Sequence, residues 1–510
     1  MLDISRHIGD CKFILVSNRE PYEHVTGPLG IEVRQPPGGL VSALDPTMRE
    51  IHGTWVAWGS GSADRETADQ SGCVRVPPEA PAYTLRRVWL DEDDIEGYYH
   101  GFANRALWPL CHMLLQHLEF RSEHWERYRA VNLRFAHAVV DEAQRCAGRT
   151  MVWIQDYHFA LVPEFLRAIE PNVFTHQFWH IPFPPPDVMN LLPVNANVAL
   201  LKGLLGNDLM EFQTERHVTN FLQCVDAFVG EADVDHAGQR IRFRGRTVEV
   251  AAFPISIDVE RFDQMARSEA AQALMTTLRE RYARGGRQLG VCVDRVDYTK
   301  GIPERLRALA HLWESEPAMR GRATFLFVCT PSRSVLPAYA ALEREVMELV
   351  MEVNQRFGRD DWTPIVLVNS NVDADLLAAC YRAADLCLVS SLQDGMNLVA
   401  KEFVGCQVDE RGVLVLSRFT GAAEEIDGAI LINPFNLDGF ASAIRVALDM
   451  PVEERRRRMR RMRTQLSRAT IFDWVDGILT HAAELMAVEK PASTRLVDEG
   501  KDERSPEAFL

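Results

Sequence analysis

Hydrophobic residues in this chain gather in short blocks. In the second half the blocks are "LGVCVDRVD" (289–297), "TFLFVCTPS" (324–332), "PIVLVN" (364–369), "LCLVSS" (386–391), "GVLVLS" (412–417) and "AILINP" (429–434). They are nearly continuous in Val, Leu and Ile, as strands covered on both faces are. Segments of helical pattern, such as "IPERLRALAHLWESE" and "DADLLAACYRAAD", lie between them. Strand and helix in alternation predict a parallel, doubly wound sheet. The first half repeats the theme less regularly. Its predicted strands are "KFILVSN", "TWVAWGS", "YTLRRVWL", "TMVWIQD", "VFTHQFWHIP" and "DLMEFQT", with a long helix at "EHWERYRAVNLRFAHAVVDEAQRC". An apolar strand, a proline and a polar stretch in "VEVAAFPISIDVERF" (248–262) mark a boundary. The expected architecture is α/β, with two Rossmann-like doubly wound domains facing across a cleft. The first spans 1–252 and the second 253–470, with a C-terminal helix over 471–488. The polar, proline-containing tail 489–510 is expected to be disordered.

In sheets of this kind ligands bind beyond the carboxyl ends of the strands. After "LGVCVD" come Arg295 and Lys300, flanking a turn, and Gly301 and Pro303 open the next helix. A lysine at a helix N-terminus opposes the helix dipole and is better tolerated with an anion between it and the free amides. An Arg295–Asp297 or Lys–Asp pair across the turn explains the same pattern equally well. Arg333 follows "TFLFVCT" in a similar position. Asp156, Tyr157 and His158 follow "TMVWIQ", and His180 follows "VFTHQFW" ahead of a loop stiffened by prolines. A lone histidine is more often structural than functional. Near the start "KFILVSN" leads to Arg19, and Gly38 and Gly39 stand at the mouth of a helix, where a phosphate can approach the backbone closely.

The stretch "SSLQDGMNLVAKEF" (390–403) is the most informative. A buried strand ends, Asp394 and Gly395 turn the chain, and the amides of residues 397 to 399 open a helix toward the cleft. Such amides suit phosphate. Glu402 lies one turn beyond Leu398, where a carboxylate can accept from two adjacent hydroxyls, as on a ribose. Together these describe a nucleotide-sugar pocket. The local alternatives are an N-cap for Asp394 and a solvent-facing position for Glu402.

Composition narrows the field. The 510 residues are 47% hydrophobic and 25% charged, ordinary for a globular protein, and no apolar run reaches membrane-spanning length. The N-terminus lacks a secretory pattern, so a cytoplasmic protein is expected. The net charge of −16 argues against nucleic acid or a membrane surface as a partner. The one dense basic run, "EERRRRMRRMR" (453–463), reads as a solvated helix face. The ten cysteines show no CxxC or Cys/His metal spacing, and no GxGxxG fingerprint of a dinucleotide dehydrogenase occurs. Homo-oligomers are common enough to leave self-association open.

The segments "SNRE", "GGL", "YYHGFANRALWP", "WIQDYH", "FWHIPFP", "DLMEFQT", "DRVDYTKGIPERL", "TPSR" and "DGMNLVAKEF", in this order, resemble the trehalose-6-phosphate synthase family of retaining glycosyltransferases. The resemblance runs from about residue 12 to about residue 488. It implies the GT-B arrangement and transfer of glucose from a nucleotide diphosphate glucose, UDP-glucose being expected, to glucose 6-phosphate, with no metal or other cofactor. It implies that Arg295 and Lys300 hold the donor diphosphate and stabilise the leaving group. Gly39 and the amides of Leu398 and Val399 would grip the same phosphates, and Glu402 the ribose. His180 and Asp394 would contact the transferred glucose and Asp156 the acceptor sugar. Arg19, Tyr99, Trp108 and Arg333 would hold the acceptor phosphate. The family mechanism is front-face, the donor phosphate oxygen taking the proton of the acceptor hydroxyl. No carboxylate pair stands out for a hydrolase-type double displacement.

One segment departs from the pattern. Many members of the family read "SNRLP", whereas this chain reads "SNREPYEH". With "TWVAW" and "LRRV" it also resembles glucosylglycerol-phosphate synthases, which accept glycerol 3-phosphate. A non-catalytic nucleotide-sugar sensor is the other alternative. Degenerate members lose the diphosphate cations or the ribose carboxylate, and Arg295, Lys300, Asp394 and Glu402 are all present here.

Overall fold

The computed structural model describes residues 9, 11–36, 39–145 and 148–488. Gly38 and the tail 489–510 lie outside the described residues. A ten-stranded sheet takes its strands from the first half of the chain and a six-stranded sheet from the second. In the first sheet Arg246–Ala252, Leu209–Phe212, Phe174–Trp179, Thr150–Gln155, Lys12–Arg19, Thr54–Trp58 and Tyr83–Val88 are successive parallel neighbours. Antiparallel strands close its edges, Arg240–Phe243 and Asp233–Asp235 on one side and Cys73–Val76 on the other. The second sheet is parallel throughout, in the order Ile365–Val368, Ala323–Thr330, Gln288–Arg295, Leu386–Val389, Val413–Ser417, Ile430–Ile432.

The central strands are buried along their length, as both Thr150–Gln155 and Phe174–Trp179 show. Helices cover both faces of the central strands, while the edge strand Ile430–Ile432 leaves Leu431 exposed. Two elements carry no simple apolar period. A hairpin, Glu23–Gly27 with Gly30–Arg34, follows Arg19. The segment "IEGYYHGFANRAL" forms a π-helix, Ile95–Leu107. Such wide turns are rare and often mark functional sites.

The helix Ile471–Val488 returns to the first sheet. Trp474 lies 5.4 Å from Trp153, ring to ring, and donates its indole N–H to the Phe253 carbonyl at 3.0 Å. Arg149 donates to the Met486 carbonyl at 2.7 Å. The basic helix Val452–Leu466 is not a purely solvated face. Arg455 is buried and donates to the carbonyls of Ala447, Leu448 and Met450, while Arg458, Arg460, Arg461 and Arg463 each pair with a carboxylate. Among the described residues no disulfide forms, and no helix is long and apolar enough to cross a membrane.

Candidate active site

Strand Gln288–Arg295 ends at the cleft, and a tight turn, Tyr298–Lys300, leads through Gly301 into helix Ile302–Ser315. Gly301 has φ +61°, and a Cβ there would sit 2.2 Å from the Ser390 carbonyl oxygen, so only glycine fits. Ser390 donates to the Gly301 carbonyl at 2.8 Å, and Arg305 donates to Ser390 Oγ at 2.9 Å while pairing with Asp294 at 2.8 Å. This buried clamp fixes the Lys300 turn on the start of the "SSLQDGMN" stretch.

Lys300 Nζ lies 2.6 Å from Asp394 Oδ2, which also accepts from Ser391 Oγ and Asn397 Nδ2, each at 3.1 Å. Burial pushes the Asp394 carboxyl up, but Lys300 and Asn397 outweigh it and hold it below its ordinary value. Among the described residues neither Arg295 nor Lys300 closes an ion pair with Asp297, although burial raises its carboxyl and both cations, with Arg333, help hold it below the ordinary value. Asp297 accepts from Thr299 and lies 3.4 Å from Arg333, and Lys300 crosses to the next strand's loop. Arg295 is exposed and makes no side-chain hydrogen bond or ion pair among the described residues.

Asp394 does not cap the helix Leu398–Cys406. Asn397, at φ +97°, is its N-cap and accepts from the Ala400 N–H at 3.0 Å. The N–H groups of Leu398 and Val399, at the first two helical positions, have no intrahelical acceptor. Glu402 does not face solvent. It is half-buried and accepts from the Tyr381 hydroxyl at 2.9 Å, and burial raises its carboxyl. Its neighbour Lys401 turns the other way, buried, to the Ile255 carbonyl and Glu425, each at 2.6 Å. Lys401 therefore ties the helix to the segment joining the sheets.

The second group gathers around Tyr99 of the π-helix. Arg19, at the end of strand Lys12–Arg19, and Arg333 both reach its phenol. Burial raises that phenol, and the two guanidinium groups outweigh burial and hold it below the ordinary range. Arg333 stacks 4.3 Å over the Trp108 ring and donates to the Tyr339 hydroxyl at 2.7 Å. Its Nε and the Trp108 Nε1 are buried without protein partners, as are both ring nitrogens of His158. His158 stacks on Tyr99 at 5.9 Å, and burial, with Arg333 and Arg19 nearby, keeps it neutral. The Arg333 and Trp108 N–H groups, beside two guanidinium groups, suit an anion with several acceptors.

Asp156 and His180 lie where the two groups approach. Asp156 has φ +71°, and its carboxylate accepts from the His180 N–H at 3.2 Å. Burial raises it to about 7. His180 Nε2 lies 2.8 Å from Gln155 Oε1, and Nδ1 lies 3.4 Å from Gln213 Nε2. That arrangement suits the neutral ring with its proton on Nε2, and burial pushes the pKa down to about 3. A Cβ on Gly395 would sit 2.1 Å from the His180 carbonyl oxygen, so the turn after Asp394 touches the loop holding His180. Asp156, Arg333 and Asn397 all hold positive φ without being glycine, a strain that collects at functional sites. Gly39 is the first residue of helix Gly39–Ile51.

Tyr339 and His158 join the site with no role expected from sequence, and Asp297 and the Asn397 side chain join it in roles other than the turn pair and the backbone amide expected of them. Asn397 left a local trace as a side-chain acceptor three residues before Ala400 at a helix start, and Asp297 as the acceptor two residues before Thr299. The others are brought in by long-range pairing. Among the described residues no cluster of three or more His, Cys, Asp or Glu side chains could hold a metal.

The profile of Glycosyltransferase family 20 matches residues 11–484. The trehalose-6-phosphate synthase of Mycolicibacterium vanbaalenii is 38% identical over 488 residues, 94% of this chain and 98% of that protein. That of Mycobacterium leprae is 37% identical, covering 94% of this chain and 96% of its own length. Among solved structures, an α,α-trehalose-phosphate synthase (UDP-forming) from Burkholderia vietnamiensis superposes with a TM-score of 0.81 at 30% identity, over 93% of this chain and all of that one. One from Burkholderia xenovorans in complex with glucose-6-phosphate gives 0.79 at 33% identity, over 92% and 100%. The E. coli structure bound with UDP-2-fluoro glucose gives 0.81 at 29% identity, over 93% and 99%. With the family profile spanning both sheets and relatives aligned nearly end to end, this chain is a member of glycosyltransferase family 20, with the GT-B fold.

Proposed function

We infer that the protein is a retaining glucosyltransferase that moves glucose from UDP-glucose to glucose 6-phosphate, giving trehalose 6-phosphate and UDP. The observation that carries this reading is a pair of cation groups, Arg295 with Lys300 around Asp297 and Arg19 with Arg333 around Tyr99, with Asp156 within electrostatic reach of Arg295 and Arg333. One anion site suits a donor diphosphate and the other a phosphorylated acceptor. The bound ligands of the E. coli and B. xenovorans structures are of these two kinds.

On the donor side, Arg295, Lys300 and the amides of Leu398 and Val399 face the diphosphate, with Gly39 closing on it from the first domain. Glu402 accepts from the ribose hydroxyls. The bond between the glucose anomeric carbon and the diphosphate oxygen breaks, and negative charge builds on that oxygen. Fixed cations and amides aimed at this charge are the main catalytic lever. The acceptor hydroxyl attacks from the same face, its proton passing to the departing oxygen. His180, neutral, and Asp394 orient the transferred glucose, and Asp156 accepts from the acceptor sugar. Arg19, Tyr99, Trp108 and Arg333 hold the acceptor phosphate.

Glycerol 3-phosphate as acceptor is not favoured, because the relatives matched across the chain are trehalose-6-phosphate synthases. A sensor role is disfavoured by the intact set Arg295, Lys300, Asp394 and Glu402. The test is proton NMR of the product from UDP-glucose and glucose 6-phosphate. Two α-anomeric signals of an α,α-linked disaccharide phosphate are expected. A β signal, or no disaccharide phosphate, overturns the reading.

A further inference from the structure

The segment that departs from the family pattern, "SNREPYEH", is anchored by a buried ion cluster unlike anything an apolar residue at position 20 could engage. The strand pairing is bulged between Ser17 and Arg19, and a bulge re-aims the next side chain. Arg19 emerges exposed, and Glu20 turns inward with no exposed surface. Glu20 Oε2 accepts from Arg87 Nε at 2.8 Å, and Oε1 accepts from the Ser60 N–H at 2.8 Å. Arg87 stands on strand Tyr83–Val88, its side chain wholly buried. Its remaining donors reach the Asp64 carbonyl, Thr67 Oγ1, the Tyr22 carbonyl and His24 Nδ1, and it pairs with Asp64 Oδ1 at 2.8 Å. Arginine only donates, so His24 Nδ1 accepts and the ring is neutral.

One guanidinium thus grips residues 20, 22 and 24 and binds them to the short helix Asp64–Thr67. On the other side of Arg19, Trp55 donates to Ser17 Oγ at 2.8 Å, and Ser17 donates to the Arg19 carbonyl at 2.6 Å. The backbone that carries Arg19 is held before and after.

We propose that Glu20 and Arg87 are positioning residues that set where Arg19 meets the acceptor phosphate, and so govern discrimination for a phosphorylated acceptor. The proposal rests on the acceptor-side reading of Arg19 given above. Neither residue reaches the cleft, since both side chains are fully enclosed. They act through the backbone, where a displacement of about 1 Å at a binding group costs on the order of a hundredfold. The two positions are linked: an apolar residue at 20 alone leaves the buried Arg87 Nε–H without its acceptor. Burial, and then a hydrogen bond with Asp64, raise the Glu20 carboxyl well above its ordinary value, against the pull of Arg87.

The test uses the full chain and compares Glu20→Gln, Glu20→Leu, the double variant Glu20→Leu/Arg87→Met, and Arg19→Ala. Steady-state KM and kcat are measured for UDP-glucose, glucose 6-phosphate and unphosphorylated glucose, alongside thermal unfolding. Glu20→Leu is expected to raise the KM for glucose 6-phosphate at least tenfold, to leave the KM for UDP-glucose within twofold, and to narrow the preference for glucose 6-phosphate over glucose. Glu20→Gln keeps the shape and the Ser60 contact, and gives a smaller rise of the same kind if Glu20→Leu does not fold. The double variant is expected to regain thermal stability, as apolar replacements of buried ion pairs often do, without regaining the acceptor KM. A double variant that restores both, or single variants that shift both KM values alike, overturns the proposal and leaves the cluster a purely structural one. If Arg19→Ala itself leaves the acceptor KM unchanged, the acceptor-side reading of Arg19 fails. If Arg19→Ala raises it and the Glu20 variants do not, the positioning proposal alone fails.

Discussion

Replacing Lys300 by alanine separates the catalytic from the structural work of its pair with Asp394. The two charges are 2.6 Å apart, and their side chains are 15% and 14% exposed. At an effective dielectric of about 20 their attraction is about 6 kcal/mol, much of it offset by desolvation. Removing the cation leaves Asp394 with Ser391 and Asn397 as donors, so the loss of folding stability is expected near the lower end for a broken buried pair, about 3 kcal/mol. It is also expected to depend on pH. In the intact protein the Asp394 carboxyl lies below its unfolded value of 3.8, so its contribution is present above that pH and fades as pH falls through the folded value. Without Lys300, burial dominates and raises the carboxyl, which costs stability as pH rises. The gap in unfolding temperature should therefore widen from pH 4 to pH 7. The rate effect is larger: losing a cation aimed at the leaving diphosphate should lower kcat about a hundredfold or more. The assay is UDP release from UDP-glucose and glucose 6-phosphate, with thermal unfolding of Lys300→Ala and of Lys300→Ala/Asp394→Ala. The double variant should recover stability and not activity. A kcat/KM within tenfold of the unmodified protein, or activity that returns with stability, refutes the reasoning.

Glu402→Ala should raise the KM for UDP-glucose about tenfold, a loss of the order of one charged hydrogen bond, while the acceptor KM stays within twofold; steady-state kinetics on both substrates checks it. Arg333→Ala removes the stack on Trp108 and the Tyr339 hydrogen bond, and should raise the acceptor KM at least tenfold with little change for the donor, again read by kinetics. Asp156, raised to about 7 by burial, should make kcat/KM for the acceptor rise as pH increases through about 7 and the carboxylate forms. In Asp156→Asn that rise should vanish from the pH–rate profile, leaving only the break of the sugar phosphate itself, near pH 6. His180 already lies near 3, so no break from its ring should appear above pH 4.

The second sheet was legible because its central strands are covered on both faces. "TFLFVCT" and "LCLVSS" could not sit elsewhere, and the parallel order followed from the helices between them. The hairpin after Arg19 was not legible, because Ile31 and Val33 are exposed and give no core-facing alternation. The π-helix Ile95–Leu107 follows no standard period, so Tyr99 was reached through the resemblance and not through a pattern. At the site, strand-end residues such as Arg295, Asp156 and His180 could be placed from the chain alone, because a strand's carboxyl end fixes which loop faces the cleft. Their partners could not. Lys300 and Asp394 are 94 residues apart and Arg87 and Glu20 are 67 apart. Charge alone leaves the pairing of Lys300 open, and it closes on the distant Asp394 although Asp297 is nearer along the chain. Lys401 and Glu402 show the same limit: adjacent and both charged, they face opposite directions, one into the joining segment and one into the pocket.

The choice of acceptor is read from a competition between the two phosphorylated candidates. Purified protein receives UDP-glucose with equal concentrations of glucose 6-phosphate and glycerol 3-phosphate, and the phosphorylated products are weighed by mass spectrometry. A disaccharide phosphate of the mass of trehalose 6-phosphate is expected as the dominant product. A glucosylglycerol phosphate in its place, or neither product with UDP-glucose left intact, contradicts that expectation.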